Sequence, residues 1–137
     1  MNQVINKAKP LNDSINALRQ SITDDNNVKQ TSNYINDSVD KQNAYNDAVD
    51  RVKQLINQTS NPTMNPLDVE NAASNVKTTK DNLHGERELN HNKNSQTFAV
   101  NHLDNLNQAQ KEALTHEIEQ ATTVPQVNNV YITKLKL

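Results

Sequence analysis

Residues 4–22 read VINKAKPLNDSINALRQSI, and the main apolar positions in this stretch are Val4, Ala8, Leu11, Ile15, Leu18 and Ile22. Steps of four and three alternate without a break, which sets all six on one stripe of an α-helix and makes the stretch a heptad seam. Pro10 lies inside it and removes one backbone donor, which in a helix interior costs about 3 kcal/mol or more. The seam nevertheless keeps its phase across Pro10, so the pattern predicts one helix with at most a kink there.

Further seams follow downstream. Asp24 to Asn36 is polar and lacks periodicity, and it reads as a connection after a helix ending near Thr23. Tyr45, Val49, Val52 and Ile56, flanked by Ala48 and Leu55, predict a second helix from about Ser38 to Asn57. The stretch Thr59 to Pro66 holds Pro62 and Pro66 among Asn, Ser and Thr and reads as a breaker. Pro66 suits the first turn of the next helix, with Asn65 as its cap. That helix carries Val69, Ala73, Val76, Lys80 and Leu83, and Gly85 behind it suits a left-handed helix terminus. A fourth seam, Leu89, Val100 and Leu103, is interrupted by Lys93 and Gln96 and predicts the least firmly packed helix. Asn107 is placed to cap a fifth helix with Leu114, Ile118 and Ala121 inward. A sixth begins at Thr123-Val124-Pro125 and runs through Val127 and Val130 to Leu137.

Composition bounds what these helices can do. The chain has 137 residues, of which 33% are apolar and 3% aromatic, so no large core is available. Twenty-four asparagines and eleven glutamines supply polarity that charge usually supplies. Such a composition also suits disorder, but a disordered polar tract has no reason to repeat apolar residues at helical spacing. The net charge is −2 from 14 basic and 16 acidic residues, which leaves no footprint for a phosphate backbone and argues against nucleic acid. No apolar run approaches the ~18 residues of a membrane span, and Met1 to Lys9 lacks the apolar stretch of a signal peptide. Any export signal or anchor is therefore expected outside this stretch. The absence of cysteine rules out disulfides and thiolate chemistry and chooses no compartment.

The two ends of the chain resemble each other. Aligning Met1–Leu11 with Val127–Leu137 pairs Asn2 with Asn128, Val4 with Val130 and Leu11 with Leu137, an offset of 126 residues. This suggests slightly more than one repeat of a long array, with both ends inside a connecting helix.

Residues 103–130, LDNLNQAQKEALTHEIEQATTVPQVNNV, resemble the GA-like module of Gram-positive surface proteins. The likeness centres on an A-x-T-V-x-x-V-N segment, here Ala121, Thr123, Val124, Val127 and Asn128. Residues 11–85 resemble the FIVAR module found beside it, by pattern and helix order. The pairing at a period near 126 is similar to the giant extracellular-matrix-binding repeat proteins of staphylococci. The seams and the resemblance together give an all-α fold of two tandem left-handed three-helix bundles joined through a helical connection. Residues 1–10 would be the end of a preceding module's connecting helix, 11–85 a FIVAR-like bundle and 86–137 a GA-like bundle. The resemblance further implies a monomeric segment of a cell-wall-associated rod at the bacterial surface. Its partners would be adjacent repeats and matrix proteins such as fibronectin.

Catalytic, cofactor and metal sites are all expected to be absent. His84 and His91 are separated by Gly85, and His102 and His116 fall on different predicted helices. Glu112 and His116 stand four apart on one face, but two ligands do not make a metal site. Asp24-Asp25 and Asn26-Asn27 lack the alternating ligands of a calcium loop and read as a helix exit. No serine lies in a glycine-rich strained turn beside a base, and a single glycine makes no phosphate loop, so the chain is expected not to be an enzyme. Of the aromatics, Tyr45 falls on a seam and is expected in the core, whereas Phe98 falls off its seam and is expected outside or between modules. Tyr34 and Tyr131 are further possible anchors for a partner. Two functions compete: a structural spacer that stacks into an adhesive rod, and a GA-like module that binds serum albumin directly. In albumin-binding relatives the second helix of the module is apolar and aromatic on its outer face. Here that face would carry Lys111, Glu112, Thr115, His116 and Glu119, which favours the spacer.

Overall fold

The computed structural model describes residues 2–58 and 62–135. Among them the chain forms eight helices and no strand: α1 (Asn2–Ser21), α2 (Asp25–Val28), α3 (Ser32–Ile35), α4 (Val39–Ile56), α5 (Pro66–Asp81), α6 (Gly85–Asn101), α7 (Gln108–Gln120) and α8 (Val124–Leu135). Met1 of the terminal alignment, residues 59–61 of the breaker and Leu137 at the predicted end of the last helix lie outside the described residues. The chain divides into two compact units that are not contiguous in sequence. The first comprises Met1–Gln30 and Ser38–Leu83, the second Thr31–Asp37 and His84–Leu137.

In the first unit α5 packs along both α1 and α4, and α1 also touches α4. The Ser14 hydroxyl donates to Glu70 Oε1 at 3.4 Å, and Lys80 Nζ donates to Asp24 Oδ2 at 2.9 Å. Both pairs are 56 residues apart, so α1 and α5 run parallel in one register. That register sets Pro10 level with Pro66, the first residue of α5, and leaves the first two turns of α1 beyond the start of α5. The helix α1 is continuous through Pro10, as its unbroken seam predicts. Burial along the seam is graded: Leu18 is fully buried, Leu11, Ile15 and Ile22 are half-buried, and Val4 and Ala8 are exposed.

Helix α4 is capped by Ser38, whose Oγ accepts the Lys41 amide at 3.3 Å, and it buries Tyr45, Ala48, Val49, Val52 and Leu55. Ile56, the last residue of α4, is only half-buried, and its neighbour Leu55 is buried instead. In α5 the inward alanine is likewise Ala72 rather than Ala73. Asn65 Oδ1 accepts the Leu67 amide at 3.0 Å and caps α5, with Pro66 in its first turn. Lys80 interrupts the α5 seam because Asp24 stands opposite it as an ion partner. The stretch read as a connection holds α2 and α3, each about one turn. Asp24-Asp25 follows the end of α1, as a helix exit should, and both carboxylates are paired: Asp24 with Lys80, and Asp25, buried as the first residue of α2, with Lys29 at 3.4 Å.

In the second unit α6, α7 and α8 pack on one another and α3 lies on α6. The core is Leu89, Val100, Ile118, Ala121 and Val127, with Leu114, Val124 and Val130 packed against it. Lys93, where the α6 seam turns polar, sends Nζ to the Glu119 carbonyl at 2.9 Å. A cation is favoured there by the negative end of the α7 dipole. Asn107 and Gln110 form a reciprocal capping box that fixes the start of α7.

Gly85 is not a left-handed terminus. Helix α5 has already ended at Asp81, with Asn82 in a right-handed conformation, and Gly85 is the first residue of α6 with no positive φ. Its requirement is space. A Cβ at this position would fall against the carbonyl oxygens of Ser32 and Asn33, the latter at 2.6 Å, and 2.7 Å from the Asp37 amide nitrogen. The glycine lets the backbone of residues 32–37 lie directly on the first turn of α6.

Candidate functional site

The A-x-T-V-x-x-V-N segment is the junction of α7 and α8, and Ala121, Thr123, Val124 and Val127 each have a structural task there. Ala121 and Val127 are buried and Val124 packs against the same core. Thr123 Oγ1 accepts the Gln126 amide at 3.2 Å, and the Thr123 carbonyl accepts from Val127. The Val124 amide donates to Asn36 Oδ1 at 2.8 Å, and Pro125 has no amide hydrogen. The first three helical positions of α8 therefore leave no backbone donor unmet. Asn36 itself is buried and also donates from Nδ2 to the Thr122 carbonyl at 3.1 Å and to Ser32 Oγ at 2.8 Å.

The surfaces of the units are polar with a few apolar exceptions. On the outer face of α7, Glu112, His116 and Glu119 are exposed and Lys111 and Thr115 half-buried, the polar face that the sequence implies. Glu112 accepts from Gln108 Nε2 at 3.1 Å rather than from His116, and Lys111 Nζ reaches the Asn101 carbonyl at 3.2 Å. Phe98 is 65% exposed and stacks on His102 with ring centroids 4.0 Å apart. In the first unit Val4, Ile5, Val39, Met64 and Leu67 are exposed. Tyr45 is fully buried, as its seam position predicts, Tyr34 is half-buried, and the side chain of Tyr131 lies outside the described residues.

Two open clefts lie in the first unit. One of about 540 Å³ runs between α1 and α5, where Lys77 and Lys80 are the cations of the lining. Both lysines are matched by carboxylates: Lys80 by Asp24, and Lys77 by Asp81 at 2.7 Å. The Lys77 hydrogen bond holds the Asp81 carboxyl below the usual carboxylate range, and Asp81 raises Lys77 in turn. The other, of about 370 Å³, is lined by Arg19, Ile22, Lys53 and Ile56 among others. Among the described residues no group of three or more His, Asp or Glu side chains is placed to hold a metal ion, and no helix is long and apolar enough to cross a membrane. His84 precedes α6, His91 and His116 are exposed on α6 and α7, and His102 ends α6 against Phe98. Periodicity did not single out Asn33, Asn36 and Asp37, the polar residues that tie α3 to the rest of its unit.

The fold is thus a helical bundle followed in sequence by a second one whose last helix opens on the T-V-P-Q-V turn. The FIVAR domain model matches residues 14–84 and the GA module model residues 86–133, and the chain belongs to the FIVAR domain family with a GA module behind it. It is 41% identical over 124 residues to the extracellular matrix-binding protein Ebh of Staphylococcus aureus strain MRSA252, covering 90% of this chain and 1% of that protein. To EbhA of strain Newman it is 38% identical over 130 residues, covering 95% of this chain and 4% of that protein. The chain thus spans a few per cent of the curated relatives it matches. The crystal structure of the 756–1003 domain of Staphylococcus aureus EbhA superposes with a TM-score of 0.89 at 34% identity, over 96% of this chain and 55% of that one. A second Staphylococcus aureus domain, described as similar to streptococcal adhesins, gives 0.79 at 28% identity, over 90% of this chain and 97% of that one. Neither matching family model is that of an enzyme.

Proposed function

We propose that this chain is a non-enzymatic structural and adhesive repeat of a bacterial cell-surface protein, one link of a long helical rod associated with the cell wall. The observation that carries the reading is the start of α1. Its first two turns lie beyond the start of α5, and they hold the seam residues Val4 and Ala8 exposed. At the 126-residue offset the counterpart of Val4 is Val130, which packs against the core of the second unit. In an array, residues 1–10 serve as the end of a preceding module's connecting helix, residues 11–85 and 86–137 as the FIVAR-like and GA-like modules, and adjacent repeats are the first partners. Matrix proteins such as fibronectin are the second. The relatives are matrix-binding proteins by name, and weak single-repeat binding gains about 10²–10⁴ in avidity along an array. The GA module match favours direct albumin binding as the alternative, and the polar outer face of α7 weighs against it.

The test compares fibronectin binding to this chain and to a chain of several repeats. Weak binding by one repeat, with a gain of about 10²-fold or more for the array, supports the reading. Equal affinity for one repeat and for several would remove it.

A further inference from the structure

The family model places residues 14–84 in one domain, yet the compact units divide differently: Thr31–Asp37 belongs with His84–Leu137. The segment is one helical turn with Thr31 as its own cap, and its polar side chains serve the second unit. The residue just before α6, His84, gives that helix no side-chain cap. Asp37 Oδ2 accepts the His84 amide at 2.7 Å instead, and Asn33 Oδ1 accepts the Glu86 amide at 3.2 Å. Asn36 spends its whole side-chain amide on the α7–α8 turn and on Ser32, as described above. The single glycine of the chain stands where the backbone of this segment meets α6.

We propose that residues 31–37 are an obligatory fourth element of the second unit: a clip that caps α6 and fastens the α7–α8 turn, supplied from inside the sequence of the neighbouring domain. The GA-like bundle of this chain is then incomplete as the contiguous stretch 84–137. The clip joins two places that the bundle's own loops leave open, the donors at the start of α6 and the first donor of α8. A buried asparagine with three hydrogen bonds has no apolar substitute here, since its loss leaves the Val124 amide and the Thr122 carbonyl without those bonds.

The experiment uses the full chain and reads amide hydrogen exchange residue by residue. Asn36→Ala removes the fastening, and Gly85→Ala pushes a Cβ into the backbone of the segment. Asn90→Ala, at an exposed position of α6, is the control. Both test variants are expected to lower protection at Val100, Ile118 and Val127 by about ten-fold or more. Val49, Val52 and Val76 should keep theirs. Protection lost only within residues 31–37 and at Val124, with the core amides of the second unit unchanged, would show the segment to be an accessory and overturn the proposal. If Gly85→Ala unfolds the whole chain, the milder Asn36→Ala decides between the same two outcomes.

Discussion

Replacing Ile118 by alanine is the sharpest test of how the second unit is held. Its side chain is fully buried, in a core that among the described residues holds five buried side chains with three more packed against it. Truncating a buried isoleucine to alanine costs about 2–5 kcal/mol, the transfer term plus the cavity left behind. A unit this short rarely gains more than about 3–5 kcal/mol from its one core, so the substitution removes most of the margin. A loss of about 3 kcal/mol is roughly a 150-fold shift toward the unfolded form. At about 4–8 °C per kcal/mol for a unit of this length, the transition should fall by roughly 12–24 °C. Urea titration followed by residue-resolved hydrogen exchange reads this directly. The amides of α6 to α8 and of residues 31–37 should open together, while Val49, Val52 and Val76 stay protected. Equal loss of protection in both sets would refute the division into two units, and a shift of less than about 1 kcal/mol would show that the cluster does not hold the unit.

Three further outcomes are expected. Asn107→Ala breaks the capping box of α7 and should cost about 1 kcal/mol in urea titration, with the loss centred on the second unit. Protonating Asp81 removes its pairing with Lys77: the folded carboxyl lies below its ordinary value, so the contribution is whole at neutral pH and fades as pH falls through the acidic range. Because both side chains are exposed it should also weaken with salt, which chemical-shift titration in low and high salt checks. Calorimetry with serum albumin should show weak binding or none, since the outer face of α7 lacks the aromatic anchors that supply most interface energy. A dissociation constant of about 1 μM or tighter would restore the albumin-binding alternative.

Much of the fold is legible in the sequence, because burial in a helix bundle leaves a periodic trace. Leu18, Tyr45, Val49, Val52, Val69, Val76 and Ile118 lie on their seams and are buried. The caps at Ser38, Asn65, Asn107 and Thr123 follow equally from local chemistry, since each is a short polar side chain serving an amide two or three residues on. What the sequence hides is non-local. A four-residue helix such as α3 has no period to detect, and the partners of Asn36 lie 86 and 88 residues away. Among 24 asparagines nothing marks this one as buried. Gly85 misleads for a related reason: glycine after a seam usually signals a left-handed turn, and its other use, clearance for a second backbone, depends on what lies above it. Lys80 and Lys93 read as faults in their seams, although one meets a carboxylate and the other a helix terminus.

The interleaving of residues 31–37 also bears on how such arrays can change over generations. Homologous recombination trims and duplicates repeats wherever two copies align, and each crossover point is a cut in the sequence. A cut anywhere between Ser38 and Leu83 would separate Asn33, Asn36 and Asp37 from the α6 and α8 they serve and hand that bundle a segment selected beside a different one. A cut among the first residues of α1 keeps every such pairing intact. The heritable cassette of this architecture is therefore the pair of modules, and residues 33, 36, 37 and 85 should change together or not at all when repeats diverge.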